Sequence, residues 1–161
     1  MSIYKLSVVI PVYNEEETVE VILRRLDYLR EKHELEIVMV DDASTDNSRE
    51  VLKRYEGQPG YTVLYHDRNT GKGGALKTAF AAVTGDVAII QDADLEYDPV
   101  DIPTVLGPIE DGRADVVYGS RFLGGPHRVI YFWHQVGNRW LTLFSNILSN
   151  LNLTDMEVGY K

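Results

Sequence analysis

The sequence predicts an α/β fold built on a Rossmann-like, mostly parallel sheet flanked by helices, and three observations carry that prediction. Short apolar runs rich in β-branched residues alternate with segments of helical periodicity. The first run, Leu6-Ser7-Val8-Val9-Ile10-Pro11-Val12, is almost continuously apolar, as a strand covered on both faces requires. Polar clusters follow the runs, and ligands bind at the carboxyl ends of the strands in open parallel sheets.

Taken in order, residues 6–12 read as a strand, and Glu15–Arg30 as a helix with Val19, Ile22, Leu23, Leu26 and Leu29 on one face. Glu36–Val40 is the second strand. The loop after it, Asp41-Asp42-Ala43-Ser44-Thr45-Asp46, is rich in helix N-cap residues. Ser48–Tyr55 reads as helix, Tyr61–Tyr65 as a third strand and Gly74–Val83 as an Ala-rich helix. Val87–Ile90 and Asp115–Tyr118 are expected as the fourth and fifth strands. A short helix lies between them after Asp101, with Pro103 tolerated in its first turn and Gly107-Pro108 ending or kinking it. From Val129 to Leu151 the residues Val129, Phe132, Trp133, Val136, Trp140, Phe144, Ile147 and Leu151 recur at helical spacing, with Gly137 weakening the middle. That stripe has two readings. It covers one side of the sheet as core, or it enters a membrane headgroup boundary while Arg128 and Arg139 meet phosphate.

Composition narrows the function classes. A length of 161 residues is that of one domain with one core. The absence of cysteine excludes disulfides, zinc-thiolate sites and Cys nucleophiles. A net charge of −9 argues against nonspecific nucleic-acid binding, which runs on Lys and Arg. The charge is uneven: residues 1–125 hold 13 basic against 23 acidic side chains, residues 126–161 three against two. No Asp or Glu occurs from Val116 to Thr154, where Arg121, Arg128 and Arg139 do, so this stretch is suited to meeting anions or to burial. No run reaches the roughly 18 apolar residues of a membrane span. Met1-Ser2-Ile3 leads straight into the first strand without a basic-then-apolar leader, so the expected location is the cytoplasm, with any membrane contact peripheral.

The polar clusters carry the chemistry. In extended chain the Asp92 and Asp94 carboxylates point the same way, and two hard oxygen donors at a strand end suit Mg²⁺ or Mn²⁺, which takes further ligands from water and phosphate. Glu96, two residues on, joins directly or through water. Of the adjacent aspartates, Asp42 is free to accept hydrogen bonds from a base or ribose, while Ser44 and Asp46 cap the next helix. Gly71-Lys72-Gly73-Gly74 precedes a helix and reads either as a phosphate-binding nest, with Lys72 beside the nucleotide, or as a close-packed turn. Arg121, after the expected fifth strand, would serve a phosphate. The frames G-x-x-x-x-G-K-[ST] and G-x-G-x-x-G are absent after the first strand, which disfavours P-loop and dinucleotide folds. A sugar-nucleotide-forming nucleotidyltransferase would need a Gly-rich, Arg-containing loop there, also absent.

Four ordered motifs, Val9-Ile10-Pro11-Val12-Tyr13-Asn14-Glu15-Glu16, Val40-Asp41-Asp42-Ala43-Ser44-Thr45-Asp46, Gln91-Asp92-Ala93-Asp94-Leu95-Glu96 and Gly119-Ser120-Arg121, resemble glycosyltransferase family 2. Within it the chain looks most like the polyprenyl-phosphate (dolichol-phosphate) mannosyl- and glucosyltransferases, and the resemblance continues through Asp155-Met156-Glu157-Val158-Gly159-Tyr160-Lys161. The resemblance implies a GT-A type fold. It implies that Pro11, Tyr13, Glu15, Val40 and Asp42 hold the base and ribose of a UDP- or GDP-sugar, and that Asp92-Ala93-Asp94 holds the metal diphosphate. Glu96 stands where these enzymes often have Gln. Family members continue well past this length, so a catalytic core is expected: residues 1–125 for nucleotide sugar and metal, 126–161 on the acceptor side, the family's C-terminal part missing. The expected reaction is inverting transfer of a hexose to a polyprenyl phosphate. With a glycan hydroxyl as acceptor instead, a general base is needed, and Asp155 is the candidate base or, alternatively, an acceptor-site residue. A nucleotide-sugar-binding core without turnover is the third reading.

Overall fold

A computed structural model describes residues 4–119, 132–155, 158 and 160. The chain divides into two compact units, Met1–Ile102 and Pro103–Lys161.

In the first unit, β1 (Lys5–Val12), β2 (Glu34–Asp41), β3 (Tyr61–Tyr65) and β4 (Val87–Ile90) form a parallel sheet in the order β3-β2-β1-β4. Val12 pairs with Asp41 and Asp41 with Tyr65, so the carboxyl ends of β1, β2 and β3 come level at one edge. The chain steps from β1 to β2 to β3 through α1 (Val19–Leu26) and α2 (Ser48–Lys53). It then returns through α3 (Gly71–Ala82) to β4, on the far side of β1. Right-handed crossovers that run in opposite directions set α3 on one face and α1 and α2 on the other. Val9, Val38 and Val40 pack with Ala75 and Ala79 of α3 in a fully buried cluster. Alternation along the strands turns Val8, Ile10, Ile37 and Met39 to the opposite face, that of the buried Ile22, Leu23, Leu26 and Leu52. β1 pairs with β2 on one side and β4 on the other, and the connections change direction there, which opens a crevice beyond its carboxyl end.

Three departures from the sequence expectation bear on the site. The first helix begins at Val19, because Thr18 and Val19 both donate to the Glu15 carbonyl in a preceding turn, and its last residues tighten into a 3-10 turn at Asp27–Glu31. α3 begins at Gly71, so Gly71-Lys72-Gly73-Gly74 is its first turn rather than the loop before it. Gly71 takes φ +78°, a conformation that disfavours any residue with a Cβ. Among the described residues the expected fifth strand does not form: 115–119 pair with no described strand, Val116 is exposed, and Gly119 N donates to the Tyr160 carbonyl. Two valines next to Asp115 offer little to bury, and a strand persists only with a partner to pair with.

In the second unit the chain continues through α4 (Ile102–Glu110), which runs past Pro108 without ending at Gly107. α5 (Phe132–Ser149) has the predicted amphipathic pattern, but its polarity runs opposite to the core reading. Trp133 is 76% exposed and Leu148 87%, and Trp140, Phe144 and Ile147 are exposed with them. Its polar Asn138 and Thr142 are buried, at 4% and 6%. Thr142 donates to Asn138 (3.0 Å) and Asn138 donates to Asp155 (2.7 Å), which explains the inversion: the buried side of α5 is a polar network, so its apolar residues face outward. No helix among the described residues is long and apolar enough to cross a membrane.

At the amino end of the sheet, buried Glu36 accepts from Ser7 Oγ (2.5 Å), Thr84 N (2.9 Å) and Thr84 Oγ1 (2.6 Å), and Lys5 Nζ lies 3.1 Å away. Burial pushes its carboxyl upward, but these donors outweigh it and hold it at about 2, against 4.5 unperturbed. A depressed pKa contributes stability that is complete above 4.5 and is lost as the pH falls toward 2. Between pH 6 and pH 3 the wild type should therefore lose about 2 kcal/mol more than Glu36→Gln. Urea unfolding at the two pH values checks this; equal losses would remove the assignment.

Candidate functional site

The site grows out of the loops that leave β1, β2, β3 and β4 at their carboxyl ends. The first two are stitched together by reciprocal bonds. Asn14 N donates to Ser44 Oγ (3.0 Å) and Glu15 N to Ser48 Oγ (2.7 Å), while Thr45 N donates to Asn14 Oδ1 (2.8 Å) and Asn47 N to Glu16 (2.8 Å). Ser44 thus braces the first loop instead of capping α2, whereas Asp46 accepts from Ser48 N at the start of that helix (2.9 Å). Asn14, Ala43 and Leu95, one in each loop after β1, β2 and β4, have φ of 57°, 60° and 63°. A non-glycine residue in this region costs on the order of 1–2 kcal/mol, and such strain collects at functional sites. Three of them sit at one edge of one sheet.

Within this frame the two aspartates ending β2 have separate duties. Asp41 is fully buried and accepts from Arg49 Nε (2.9 Å), whose guanidinium also donates to the His66 carbonyl and lies over Tyr65. Asp42 is buried too. Its Oδ1 accepts from Thr70 N (2.9 Å) and Thr70 Oγ1 (2.8 Å), and His66 Nδ1 lies 2.6 Å away. The other ring nitrogen of His66, Nε2, lies 2.8 Å from Thr78 Oγ1. Burial pushes the Asp42 carboxyl up, but the hydrogen bonds from Thr70, His66 and Gly71 bring it below the ordinary range, so it is ionised. Asp42 therefore ties the end of β2 to the start of α3.

A cavity of about 360 Å³ opens beside this anchor, lined by Pro11, Val12, Tyr13, Glu15, Asp42, Asn69, Gly71, Lys72, Ala75, Asp92, Ala93 and Asp94. Of the residues singled out in the sequence, Pro11, Tyr13, Glu15, Asp42, Lys72, Asp92, Ala93 and Asp94 come together here. Val40 does not line it; its side chain is in the core against α3. Glu96 is exposed and outside the lining, and Arg121 lies outside the described residues. Asp155 belongs to the second unit and is 1% exposed. Sequence reasoning passed over Asn69, which lines the cavity, and His66 and Thr70, which hold Asp42.

The loop after β4 is held by buried Gln91, whose amide donates to the carbonyls of Asp92 and Tyr97 (both 3.0 Å). Asp94 Oδ1 accepts from Glu96 N (2.9 Å). Lys72 Nζ lies 2.6 and 2.8 Å from the two oxygens of Asp92, so a cation already sits on that carboxylate. Among the described residues no three acidic or histidine side chains gather into a ready-made metal cage. Asp92 and Asp94 nevertheless fit Mg²⁺ or Mn²⁺, which is held by one or two carboxylates and completed by water and phosphate.

Comparison with known proteins agrees with this geometry. The model of the Glycosyl transferase family 2 matches residues 7–158. A dolichol-phosphate mannosyltransferase of Pyrococcus furiosus is 35% identical over 121 residues, 75% of this chain and 34% of that protein. An undecaprenyl-phosphate 4-deoxy-4-formamido-L-arabinose transferase of Serratia proteamaculans is 41% identical over 119 residues, 71% of this chain and 36% of that protein. This chain thus spans about a third of the length of these curated relatives. A mannosyltransferase from Pyrobaculum calidifontis in complex with GDP-Man and Mn²⁺ superposes with a TM-score of 0.51 at 36% identity, over 58% of this chain and 28% of that one. Glucosyl-3-phosphoglycerate synthase from Mycobacterium tuberculosis in complex with Mn²⁺, UDP and phosphoglyceric acid gives 0.55 at 28% identity, over 66% and 39%. The parallel sheet, the loops at its carboxyl edge and a family match running from the first strand to Val158 lead to one assignment: the chain belongs to glycosyl transferase family 2 and carries a GT-A type α/β fold.

Proposed function

We propose that this chain is the donor-binding core of an inverting glycosyltransferase that moves a hexose from a UDP- or GDP-sugar to a polyprenyl phosphate. The observation that carries the reading is the convergence of Pro11, Tyr13, Glu15, Asp42, Lys72, Asp92 and Asp94 on one cavity at the point where the sheet's connections change direction. In this reading the first unit takes the donor and the second serves the acceptor. Pro11, Tyr13 and Glu15 face the nucleoside. Asp42 fixes the turn that presents Asn69, Gly71 and Lys72, and Asp92 and Asp94 hold Mg²⁺ or Mn²⁺. The bound cation would neutralise charge building on the leaving diphosphate. Two of the proteins named above are a dolichol-phosphate and an undecaprenyl-phosphate sugar transferase, and the two solved structures hold GDP-Man or UDP with Mn²⁺, which supports the same acceptor class, donor class and cofactor here.

The acceptor class rests on Asp155. A lipid phosphate is ionised at neutral pH and attacks unaided, whereas a hydroxyl must give its proton to a base within hydrogen-bond reach. Asp155, the base candidate, is buried and already accepts from Asn138, which supports the phosphate acceptor. The likeness to glucosyl-3-phosphoglycerate synthase keeps a small soluble acceptor as the second reading. The direct test is transfer of labelled sugar from UDP-glucose or GDP-mannose, with Mn²⁺, to a polyprenyl phosphate and, in a parallel reaction, to phosphoglycerate. Label in the organic phase supports the reading, and label passing only to phosphoglycerate supports the second.

The outward face of α5 supports a membrane surface as the acceptor's location. Trp133, Trp140, Phe144, Ile147 and Leu148 are exposed beside Arg139, in a stretch without carboxylates from Val116 to Thr154. Aromatic anchors with a basic flank lie in the headgroup region of bilayers and favour anionic lipids. Trp133→Ala combined with Trp140→Ala should lower affinity for anionic vesicles at least about tenfold. Both side chains are exposed, so the variant's melting temperature should stay near the wild-type value, whereas truncating a buried aromatic would cost roughly 3–5 kcal/mol of stability per site. Vesicle sedimentation and a thermal melt on the same samples decide it. Strong destabilisation without any vesicle binding by the wild type would end the membrane reading.

A further inference from the structure

We infer that Lys72 is an internal counter-ion: it occupies the cation position on Asp92 in the free protein and passes to the donor's phosphates when a divalent cation takes that carboxylate. The inference rests on the function proposed above and adds an order and a coupling to it.

Three observations carry it. The Lys72 ammonium reaches both oxygens of Asp92, at 2.6 and 2.8 Å, so it covers the carboxylate rather than touching its edge. The two partners differ in freedom: the Asp92 side chain is 12% exposed, that of Lys72 53%. The carboxylate is the fixed member and the lysine, on its four-carbon stem, is the one that can leave. Third, the described residues lining the cavity include four carboxylates, Glu15, Asp42, Asp92 and Asp94, and Lys72 is their only cation. Asp42 is compensated by its own hydrogen-bond donors, which leaves Lys72 to balance the acids nearest the expected diphosphate.

The consequence follows from competition. A divalent cation entering the free site must displace an ammonium already paired with Asp92, so the nucleotide-free protein holds it weakly. A diphosphate offers the released lysine a new partner, since an ammonium is a good point charge for phosphate. Nucleotide and cation should therefore bind with positive coupling, each raising the other's affinity by the same factor. Without Lys72 that coupling shrinks from both directions.

The experiment titrates Mn²⁺ alone, followed by its electron paramagnetic resonance signal, into the wild type, Lys72→Met and Lys72→Gln. UDP and GDP are then titrated at saturating Mn²⁺. Removal of a partly exposed ion pair should raise nucleotide-free Mn²⁺ affinity about three- to tenfold in both variants. Nucleotide affinity at saturating Mn²⁺ should fall about tenfold, the loss of one charge-assisted phosphate contact. Two variants of different polarity, both melting like the wild type, separate this from misfolding. Unchanged or weaker Mn²⁺ affinity in both overturns the inference while leaving the proposed function intact, provided the wild type binds nucleotide with Mn²⁺. A wild type that binds neither nucleotide in Mn²⁺ overturns both.

Discussion

Asp94→Ala should abolish sugar transfer and weaken Mn²⁺-dependent binding of the nucleoside diphosphate by at least about 100-fold. Loss of groups that merely support metal ligands already costs 10–100-fold. Its effect on folding should be small, because Asp94 is exposed and accepts a local bond from Glu96 N (2.9 Å). Asp94→Asn separates the two roles. It retains a side-chain oxygen for Glu96 N but removes the charge, so it should fold normally and bind almost as poorly as the alanine variant. Calorimetry with UDP or GDP in Mn²⁺ reads the affinities, and a thermal melt reads the fold. Wild-type affinity in Asp94→Ala would place the cation on other residues.

Asp42→Ala should act on stability as well as on binding, and on stability the more strongly. The substitution strips Thr70 N, Thr70 Oγ1 and His66 Nδ1 of their acceptor inside a buried network. Removing one partner of a buried charged network costs about 3–5 kcal/mol. Asp42 also lines the nucleotide cavity, so the nucleoside should lose about 1–3 kcal/mol of affinity along with the nucleotide. Urea unfolding checks the first effect and titration with uridine or guanosine the second. An unchanged unfolding midpoint would mean that the network does not hold the first turn of α3; a loss confined to diphosphate-bearing ligands would move Asp42 to the metal.

The four strands were legible because parallel strands covered on both faces must be continuously apolar, and few other segments are. Their order was not. Nothing local in Val87–Ile90 says that it pairs with β1 instead of β3, yet that pairing brings Asp92 to Lys72, 20 residues away in sequence. The rule that placed the site at strand ends was applied after β1, β2, β4 and the expected fifth strand. Applied after β3, it reaches His66, Asn69 and Thr70, the residues that were missed. Asp42 looked free because side-chain donors from a later loop cannot be seen in the sequence around it. α5 shows the converse: the apolar spacing located the helix, but the direction of its stripe was decided by Asn138, Thr142 and Asp155, whose polar network takes the inner face.

The central claim is that the cavity beside Asp42 and Asp92-Ala93-Asp94 holds a nucleoside diphosphate through a divalent cation. It is tested most directly by calorimetric titration of UDP and GDP into the unmodified chain, once with Mn²⁺ and once with EDTA. At neutral pH the four lining carboxylates face an anionic ligand with Lys72 as their only described counter-charge, so binding without a divalent cation sets like charges against each other. At least one of the two nucleotides should bind with Mn²⁺, and its affinity should fall more than about tenfold in EDTA, the scale of one lost metal–phosphate interaction. Equal affinity in Mn²⁺ and EDTA, or no binding of either nucleotide in Mn²⁺, would contradict the account.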